Sequence, residues 1–194
     1  MKRPAPKRFT TILFYKPYGV LSQFSPEPGK ETLRDFLDLP KDVYPVGRLD
    51  HDSEGLLLLT NDNDLKHRLT DPSFAHPKTY LAQVERIPTS ESIDALRSGV
   101  VIEGERTRPA DVELLSGEPS FPPRSVPIRF RKNVPTAWLR IVLREGRNRQ
   151  VRKMTAAVGF PTLRLVRTAI GAVGIGTLQP GEWRHIDRAE ILPL

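Results

Sequence analysis

The chain has 194 residues, of which 38% are hydrophobic, and carries a formal net charge of +7 with a sequence pI near 9.9. This length permits one substantial hydrophobic core, and the absence of cysteine excludes disulfides, thiolate metal sites and a cysteine nucleophile. Because no apolar run reaches the roughly 18 residues of a membrane span and no signal peptide pattern is present, we expect a cytoplasmic protein.

Basic residues cluster in two parts of the chain. Residues 1–26 carry five Lys and Arg and no acid, and residues 144–167 carry seven, with Glu145 as the single acid. Clustered cations gain affinity for polyanions by displacing counterions from phosphates. This pattern predicts a nucleic acid partner, the alternative being a merely basic surface. Residues 1–8, with two prolines, are expected to form a flexible basic arm.

The N-terminal part is predicted to form short strands and turns. Residues 9–15 are rich in aromatic and β-branched side chains, which favours a strand ending at the turn 16–19. Thr32 can cap a short helix that runs to Leu39, where a proline follows. The apolar residues 43–46 then predict a buried strand.

A charged segment, the central loop (residues 47–55), precedes a second apolar run at 56–59. Five of seven consecutive residues are ionisable, namely Arg48, Asp50, His51, Asp52 and Glu54. Loops held by a rigid scaffold are where catalytic groups concentrate. The central loop is therefore the first candidate for a functional site.

The remaining elements alternate between helices and strands. Two helices, 63–69 and 89–98, are predicted from their N-cap candidates, which are Asn61 or Asp62 for the first and Thr89 for the second. Strands are predicted at 78–87, 100–102, 110–115, 136–143, 162–169 and 183–186, with a proline-rich excursion at 117–127.

A basic helix is predicted to begin near Asn148. Its buried face follows from apolar residues at helical spacing, namely Val151, Met154 and Val158. Another face carries three cations, Arg149, Arg152 and Lys153. Because this face follows a glycine-containing turn with further arginines, it favours anion binding over a merely solvated surface.

Three simpler interpretations of the motifs fail. Residues 50–55 match the start of a calcium-binding loop, but Asn61 occupies the position of the bidentate glutamate and strands replace the flanking helices. The glycines of 171–176 have the wrong spacing for a dinucleotide fingerprint. His51 and His67 lack metal-ligand spacing.

Asp50 can act as a nucleophile only while it is ionised. An unperturbed carboxylate, with a pKa of about 3.9, is ionised at neutral pH unless burial raises the pKa. An enclosed site therefore needs an arginine opposite Asp50, and Arg48 and the cationic face of 149–153 are candidates. In the alternative interpretation, the acids of the central loop are structural and neutralised by neighbouring arginines.

Three motifs resemble those of RNA pseudouridine synthases of the small-subunit uridine synthase A type. Residues 47–62 resemble the aspartate motif of that family, 76–80 its tyrosine motif and 145–154 its third motif, in the same order and spacing. Asn63 departs from the usual glycine, with little expected effect, because Asn tolerates the left-handed conformation. Residues 126–140 are similar to members that act on large-subunit (23S) ribosomal RNA.

The resemblance implies an α+β fold, with a largely antiparallel, curved mixed sheet, flanking helices and a central catalytic cleft. It implies isomerisation of one uridine of 23S ribosomal RNA to pseudouridine, in free RNA or an assembly intermediate, without cofactor or metal. For the oligomeric state, which the sequence leaves open, a monomer is the default expectation. Residues 9–194 would be the catalytic domain, with no N-terminal S4-type RNA-binding domain. The alternative function is a non-catalytic RNA-binding ribosome-assembly protein on the same fold.

The resemblance also implies roles for individual residues. Asp50 is the nucleophile, adding to ribose C1′ or uracil C6, or assisting glycosidic cleavage. Tyr80 stacks on the uracil and takes part in proton transfer, Arg152 pairs with Asp50, and Arg48 fills the gap left by the flipped nucleotide. Further RNA contacts are expected from Lys78, Arg147, Arg149, Lys153, Arg164 and Arg167.

Overall fold

The computed structural model describes residues 9–128 and 133–192, so the arm predicted at 1–8 lies outside the described residues. The strands are β1 (Thr11–Lys16), β2 (Val20–Leu21), β3 (Glu31–Thr32), β4 (Tyr44–Pro45), β5 (Glu54–Thr60), β6 (Lys78–Glu85), β7 (Val101–Ile102), β8 (Glu105–Arg106), β9 (Asp111–Leu114), β10 (Thr136–Leu143), β11 (Thr162–Ile170), β12 (Val173–Gly174) and β13 (Trp183–His185). The helices are α1 (Asn63–Thr70), α2 (Ser90–Ser98), α3 (Gln150–Ala157) and α4 (Arg188–Ile191), with single 3-10 turns at Leu33–Asp35 and Pro72–Phe74.

One large mixed sheet organises the described residues. Its main path runs β13-β1-β5-β11-β6-β10-β9, with β4 beside β5 and β12 beside β11. Only the pairing of β5 with β11 is parallel among the pairs of this sheet. The predicted α+β class with a largely antiparallel mixed sheet is confirmed.

Strand β5 is buried on both faces, as its continuous apolar run predicts. Leu56 and Leu58 pack in one cluster with Leu65 and Leu69 of α1. The alternate residues of β5 pack on the other face in a second cluster that includes Phe14 of β1. The central loop is therefore attached directly to the best-buried strand.

Helices α2 and α3 cover one face of the other half of the sheet. Ile93 and Leu96 of α2 share a cluster with Val151 and Met154 of α3 and with residues of β6, β9, β10 and β11. Val158 packs against the same cluster while partly buried. The buried face predicted for the basic helix is confirmed, and Arg149 and Arg152 of its cationic side contact the central loop.

Helix capping explains where two predicted helices begin. Asp62 accepts hydrogen bonds from the backbone N–H groups of Asp64 and Leu65, and Thr89 accepts one from Ser92. Thr32 is the predicted N-cap of a helical segment, and Asp35 accepts hydrogen bonds from its N–H and hydroxyl in a capping box. The predicted extent to Leu39 is wrong, since the segment is the single 3-10 turn Leu33–Asp35.

Two other differences are local. The strand predicted at 43–46 is reduced to β4, although the N–H of Val46 still donates to the carbonyl of Leu58 in β5 at 2.7 Å. Strand β6 ends at Glu85 rather than at 87, because Arg86 adopts a left-handed conformation with φ of 67°. In the described residues no helix is long and apolar enough to cross a membrane.

Candidate active site

The central loop is held in place by hydrogen bonds from the segment after β1. The hydroxyl of Ser22 donates to the Leu49 carbonyl at 2.8 Å and accepts from the Leu49 N–H at 3.1 Å. The N–H of Gly19 donates to the carbonyl of His51 at 2.9 Å. These bonds flank Asp50 on both sides and fix the backbone that carries its carboxylate.

The parallel pairing of β5 with β11 requires a glycine where the central loop ends. Gly55 has a φ of 106°, and a Cβ at that position would collide with the backbone carbonyl of Arg167. Residues with a side chain rarely adopt this conformation. Gly55 therefore allows the two strands to approach directly behind Asp50.

Arg149 is the arginine nearest to Asp50. Its guanidinium lies 3.6 Å from the Asp50 carboxylate and donates two hydrogen bonds of 2.8 Å to Asp52. Burial raises the pKa of Asp52, but the Arg149 hydrogen bonds and the charges of Arg152 and Arg149 outweigh it and hold this pKa below its usual value. The central loop is thus locked to the start of α3 by opposite charges.

Arg152, predicted to pair with Asp50, makes its direct contacts with Asp52 and interacts with Asp50 through charge alone. Arg152 donates to the backbone carbonyl of Asp52 at 2.6 Å and to that of Thr162 at 3.2 Å, and its Nε lies 3.4 Å from the Asp52 carboxylate. The cause is the left-handed conformation of Arg149 at the N-cap of α3, with φ of 51°. Arg149 therefore faces Asp50, while Arg152, on the next turn, reaches under the central loop.

A cleft of about 280 Å³ opens beside Asp50. Tyr80 from β6 lines it, as do Arg48 at its rim and Arg147 and Arg149 from the turn before α3. Leu165, Leu143 and Val151 add apolar surface. A half-open, partly apolar cleft with a carboxylate, a phenol and several guanidiniums is suited to a planar, polar ring attached to a phosphate chain.

The other predicted RNA contacts lie around the cleft or, in the case of Arg147, line it. Lys78 is half-buried, and burial together with the charge of Arg167 lowers its pKa. Lys153 forms an ion pair of 2.7 Å with Glu103. Arg147 donates to the carbonyl of Ile102 and approaches Glu105. These cations sit at the surface around the cleft, paired with exposed acids or backbone.

Arg164 and Arg167 are buried, in contrast to the surface positions that the prediction of RNA contact requires. Arg164 donates two hydrogen bonds, of 2.9 and 2.7 Å, to the carboxylate of Glu54. Arg167 donates to the carbonyl of Leu56 at 2.8 Å. Both arginines support the strands behind the central loop, and Arg164 is the partner of Glu54.

Lys16, predicted to begin a turn, is instead the buried last residue of β1 beside the central loop. It ends the fully buried β1, is itself fully buried and donates to the carbonyls of Pro17 at 2.8 Å and Val20 at 2.6 Å. Burial lowers the pKa of Lys16 to about 7, although Glu54, Asp52 and Asp50 oppose the shift. The sequence feature that could have indicated a buried Lys16 is its position at the end of an apolar strand, directly before a proline.

Lys16 makes the stability of the fold depend on pH. Its pKa is about 7 in the folded state and close to 10.5 in the unfolded chain, so between these values the unfolded chain binds the extra proton. The free energy of unfolding is therefore expected to rise from pH 7 to pH 9.5, by up to about 1.4 kcal/mol per pH unit. Urea unfolding at several pH values measures this slope.

The Lys16→Met variant is the test of the assignment, and Lys41→Met, at an exposed loop position, is its control. The slope is expected to fall markedly in the first variant, leaving the contribution of Lys78, whose pKa burial also lowers, and to persist unchanged in the second. Tyr15, whose pKa burial raises to about 12, stays protonated in the folded state over this range. An undiminished slope in Lys16→Met contradicts the assignment.

The described ranges contain no group of three or more His, Asp or Glu side chains arranged to hold a metal ion. The arrangement of the site is instead that of a charged hydrogen-bonding centre. One carboxylate, Asp50, faces the cleft next to a guanidinium, and the phenol of Tyr80 lines the same space. Such a centre can stabilise or attack an electron-poor carbon and can exchange a proton with a bound ring.

Comparisons with known proteins agree on one family. Residues 10–157 match the family model described as RNA pseudouridylate synthase. The chain is 56% identical over 184 residues, 94% of its own length and 98% of the relative, to "Ribosomal large subunit pseudouridine synthase E" of Xanthomonas campestris pv. campestris. It is 51% identical over 175 residues, 90% of its length and 73% of the relative, to the protein of the same name from Vibrio parahaemolyticus.

A solved structure gives the same result. The structure described as "Crystal structure of pseudouridylate synthase" superimposes with a TM-score of 0.79 at 29% sequence identity. The match covers 96% of this chain and 74% of that one. Sequence and fold are thus similar to one family along almost the whole chain.

Proposed function

Because the chain belongs to the RNA pseudouridylate synthase family and is an enzyme that isomerises uridine in RNA to pseudouridine, we propose that its substrate is one uridine of large-subunit (23S) ribosomal RNA and that Asp50 is the nucleophile. The names of the relatives at 51% and 56% identity support the choice of RNA. The observation that carries the choice of nucleophile is the Asp50 carboxylate, half-buried in the cleft and 3.6 Å from the Arg149 guanidinium.

The reaction exchanges one glycosidic bond for another without net oxidation. The N1–C1′ bond breaks, the uracil turns within the cleft, and a C5–C1′ bond forms. The hydrogen of C5 leaves as a proton, and N1 gains one. The Asp50 carboxylate adds to C1′, adds to C6 or assists cleavage of the glycosidic bond, with the Arg149 guanidinium 3.6 Å away.

Access to the uridine requires base flipping. A uridine within structured RNA hides both C1′ and C5, and extrusion costs a few kcal/mol. Stacking of the uracil on Tyr80 returns about 1–3 kcal/mol, and the phenol then lies close enough to the ring to exchange a proton. Arg48, exposed at the rim of the cleft, is proposed to occupy the space that the flipped nucleotide leaves.

Phosphates around the flipped nucleotide are proposed to bind the cations at the start of α3 and beside β6, namely Arg147, Arg149, Lys153 and Lys78. Arg152 is proposed to act through Asp52, by fixing the loop backbone. Arg164 and Arg167, being buried, are left out of the RNA-binding set. We further propose a cytoplasmic, monomeric enzyme with one catalytic domain at 9–194, a basic arm at 1–8 that assists RNA binding, and no required metal.

Release of tritium from uridine labelled at C5 tests the substrate. Transcripts of 23S ribosomal RNA, 16S ribosomal RNA and transfer RNA are incubated separately with the protein. We expect release from the 23S transcript alone, approaching one equivalent per RNA. Pseudouridine mapping in cells that lack the protein is the matching measurement, and a modification missing from transfer RNA or 16S RNA instead overturns the choice of substrate.

A further inference from the structure

Three side chains form a continuous surface next to the cleft, called here the flanking platform: Tyr18, His51 and Arg124. The guanidinium of Arg124 lies over the Tyr18 ring, 4.1 Å from its centroid. The rings of Tyr18 and His51 have centroids 6.5 Å apart and are inclined by 48°. His51 is exposed, and the other two are half-exposed, so the platform reaches solvent.

The platform is directly attached to the catalytic loop. His51 follows Asp50 in sequence, and its carbonyl accepts the N–H of Gly19, the neighbour of Tyr18. Tyr18 also interacts electrostatically with Arg152, which holds the backbone of Asp52. The platform thus begins one residue after the carboxylate that lines the cleft.

The proline-rich segment 117–127 holds Arg124 over Tyr18, because the residues just before Arg124 pack against the sheet. The carbonyl of Pro122 accepts a hydrogen bond of 3.0 Å from Arg164, whose other contacts are to Glu54. Phe121 packs 5.8 Å from the ring of Trp138 on β10, with Arg164 over its face at 5.4 Å. The backbone before Arg124 is thus anchored to the same buried ion pair that supports the central loop.

The charge of Arg124 is available for a ligand. Its guanidinium donates to the carbonyl of Val126 and covers Tyr18, and none of the carboxylates within the described part of the chain forms an ion pair with it. An arginine plane on an aromatic ring, open to solvent and next to a second ring, is the arrangement on which unpaired nucleobases stack. A flipped uridine leaves its neighbours partly unstacked, which supplies such a base.

We propose that the flanking platform binds an unpaired nucleobase of the substrate RNA, adjacent to the uridine that is isomerised, and so helps to select the target. The proposal rests on the function proposed above only in requiring a substrate RNA. The base stacks on the Arg124 guanidinium and the His51 ring, while its phosphate is attracted by the same cation. The platform therefore selects a target uridine whose neighbouring base is unpaired, and it does not read the hydrogen-bonding edge of that base.

The test combines protein variants with modified RNA. The RNA is a short stem-loop around whichever uridine releases tritium, in which each nucleotide flanking the target is replaced in turn by an abasic one. For the wild-type protein, one abasic position is expected to raise KM about tenfold. Arg124→Ala and Tyr18→Leu are each expected to raise KM about tenfold for the intact RNA, with no further penalty at that abasic position.

Arg86→Ala is the matched control, since Arg86 covers the Phe160 ring at 5.8 Å and donates to Gly159 beyond the far end of α3. It should retain the wild-type KM and abasic penalty. The inference is overturned if the abasic substitution raises KM as much for Arg124→Ala as for the wild-type protein. A variant that keeps this penalty and loses only kcat or Tm would show that Arg124 stabilises the central loop without binding a base. Absence of tritium release by the wild-type protein from every RNA contradicts the proposed function instead.

Discussion

The Asp50→Asn variant is expected to form pseudouridine at least about 10⁴-fold more slowly than the wild-type protein, because the amide cannot serve as the nucleophile. The amide has nearly the shape of the carboxylate, and the Asp52–Arg149 and Asp52–Arg152 contacts that hold the central loop remain. Binding of the substrate RNA should therefore change by only a few-fold. Tritium release under single-turnover conditions and a filter-binding titration measure the two quantities separately.

Asp52→Asn is the informative control for this result. It removes the carboxylate that Arg149 and Arg152 share but leaves the Asp50 carboxylate in the cleft. A smaller loss of rate, about 10–100-fold, is expected, because the loop and Arg149 are less well positioned. Unchanged tritium release from Asp50→Asn, or a larger loss in Asp52→Asn than in Asp50→Asn, rules out the assigned nucleophile.

The Glu54→Ala variant is expected to lower the free energy of unfolding by about 3–5 kcal/mol, because it leaves the buried Arg164 guanidinium without its counter-ion. The two side chains are only 3% and 10% exposed and share two hydrogen bonds. Urea denaturation at pH 7.5 measures the change. Replacing both partners by apolar residues, in Glu54→Leu with Arg164→Met, should recover much of the loss.

An exposed ion pair provides the comparison. Arg140 and Glu113 lie 3.6 Å apart on neighbouring strands, with side chains 46% and 60% exposed. Arg140→Ala is expected to cost less than about 1 kcal/mol, because water screens such a pair. If Glu54→Ala costs no more than Arg140→Ala, the buried pair does not contribute to stability as argued.

Much of the fold could be predicted from local sequence. The apolar run of β5 and the apolar, aromatic and β-branched residues of β10 define strands without reference to the rest of the chain. Capping residues such as Asp62 and Thr89 mark helix starts through bonds to residues two or three positions later. One local signal was missed: the capping box of Asp187 and Glu190, which begins α4.

The site itself was only partly predictable, because its decisive contacts join distant parts of the chain. Arg164 looks like an RNA-binding cation in sequence, and its burial is explained only by Glu54, 110 residues away. Arg149, rather than Arg152, is the neighbour of Asp50, and it has a left-handed backbone at the start of α3. Nothing in the local sequence around Arg149 predicts that conformation.

The parallel pairing of β5 with β11 also determines when the enzyme can become active. Val166 and Arg167 lie beside Glu54 and Gly55, so the pairing closes a loop of more than a hundred residues. Contacts this distant in sequence form late in folding, because loop-closure entropy must be overcome first. During synthesis the Asp50 segment emerges early, yet it gains its supports only after β11 has emerged, so a partly synthesised chain has the catalytic carboxylate without a catalytic site.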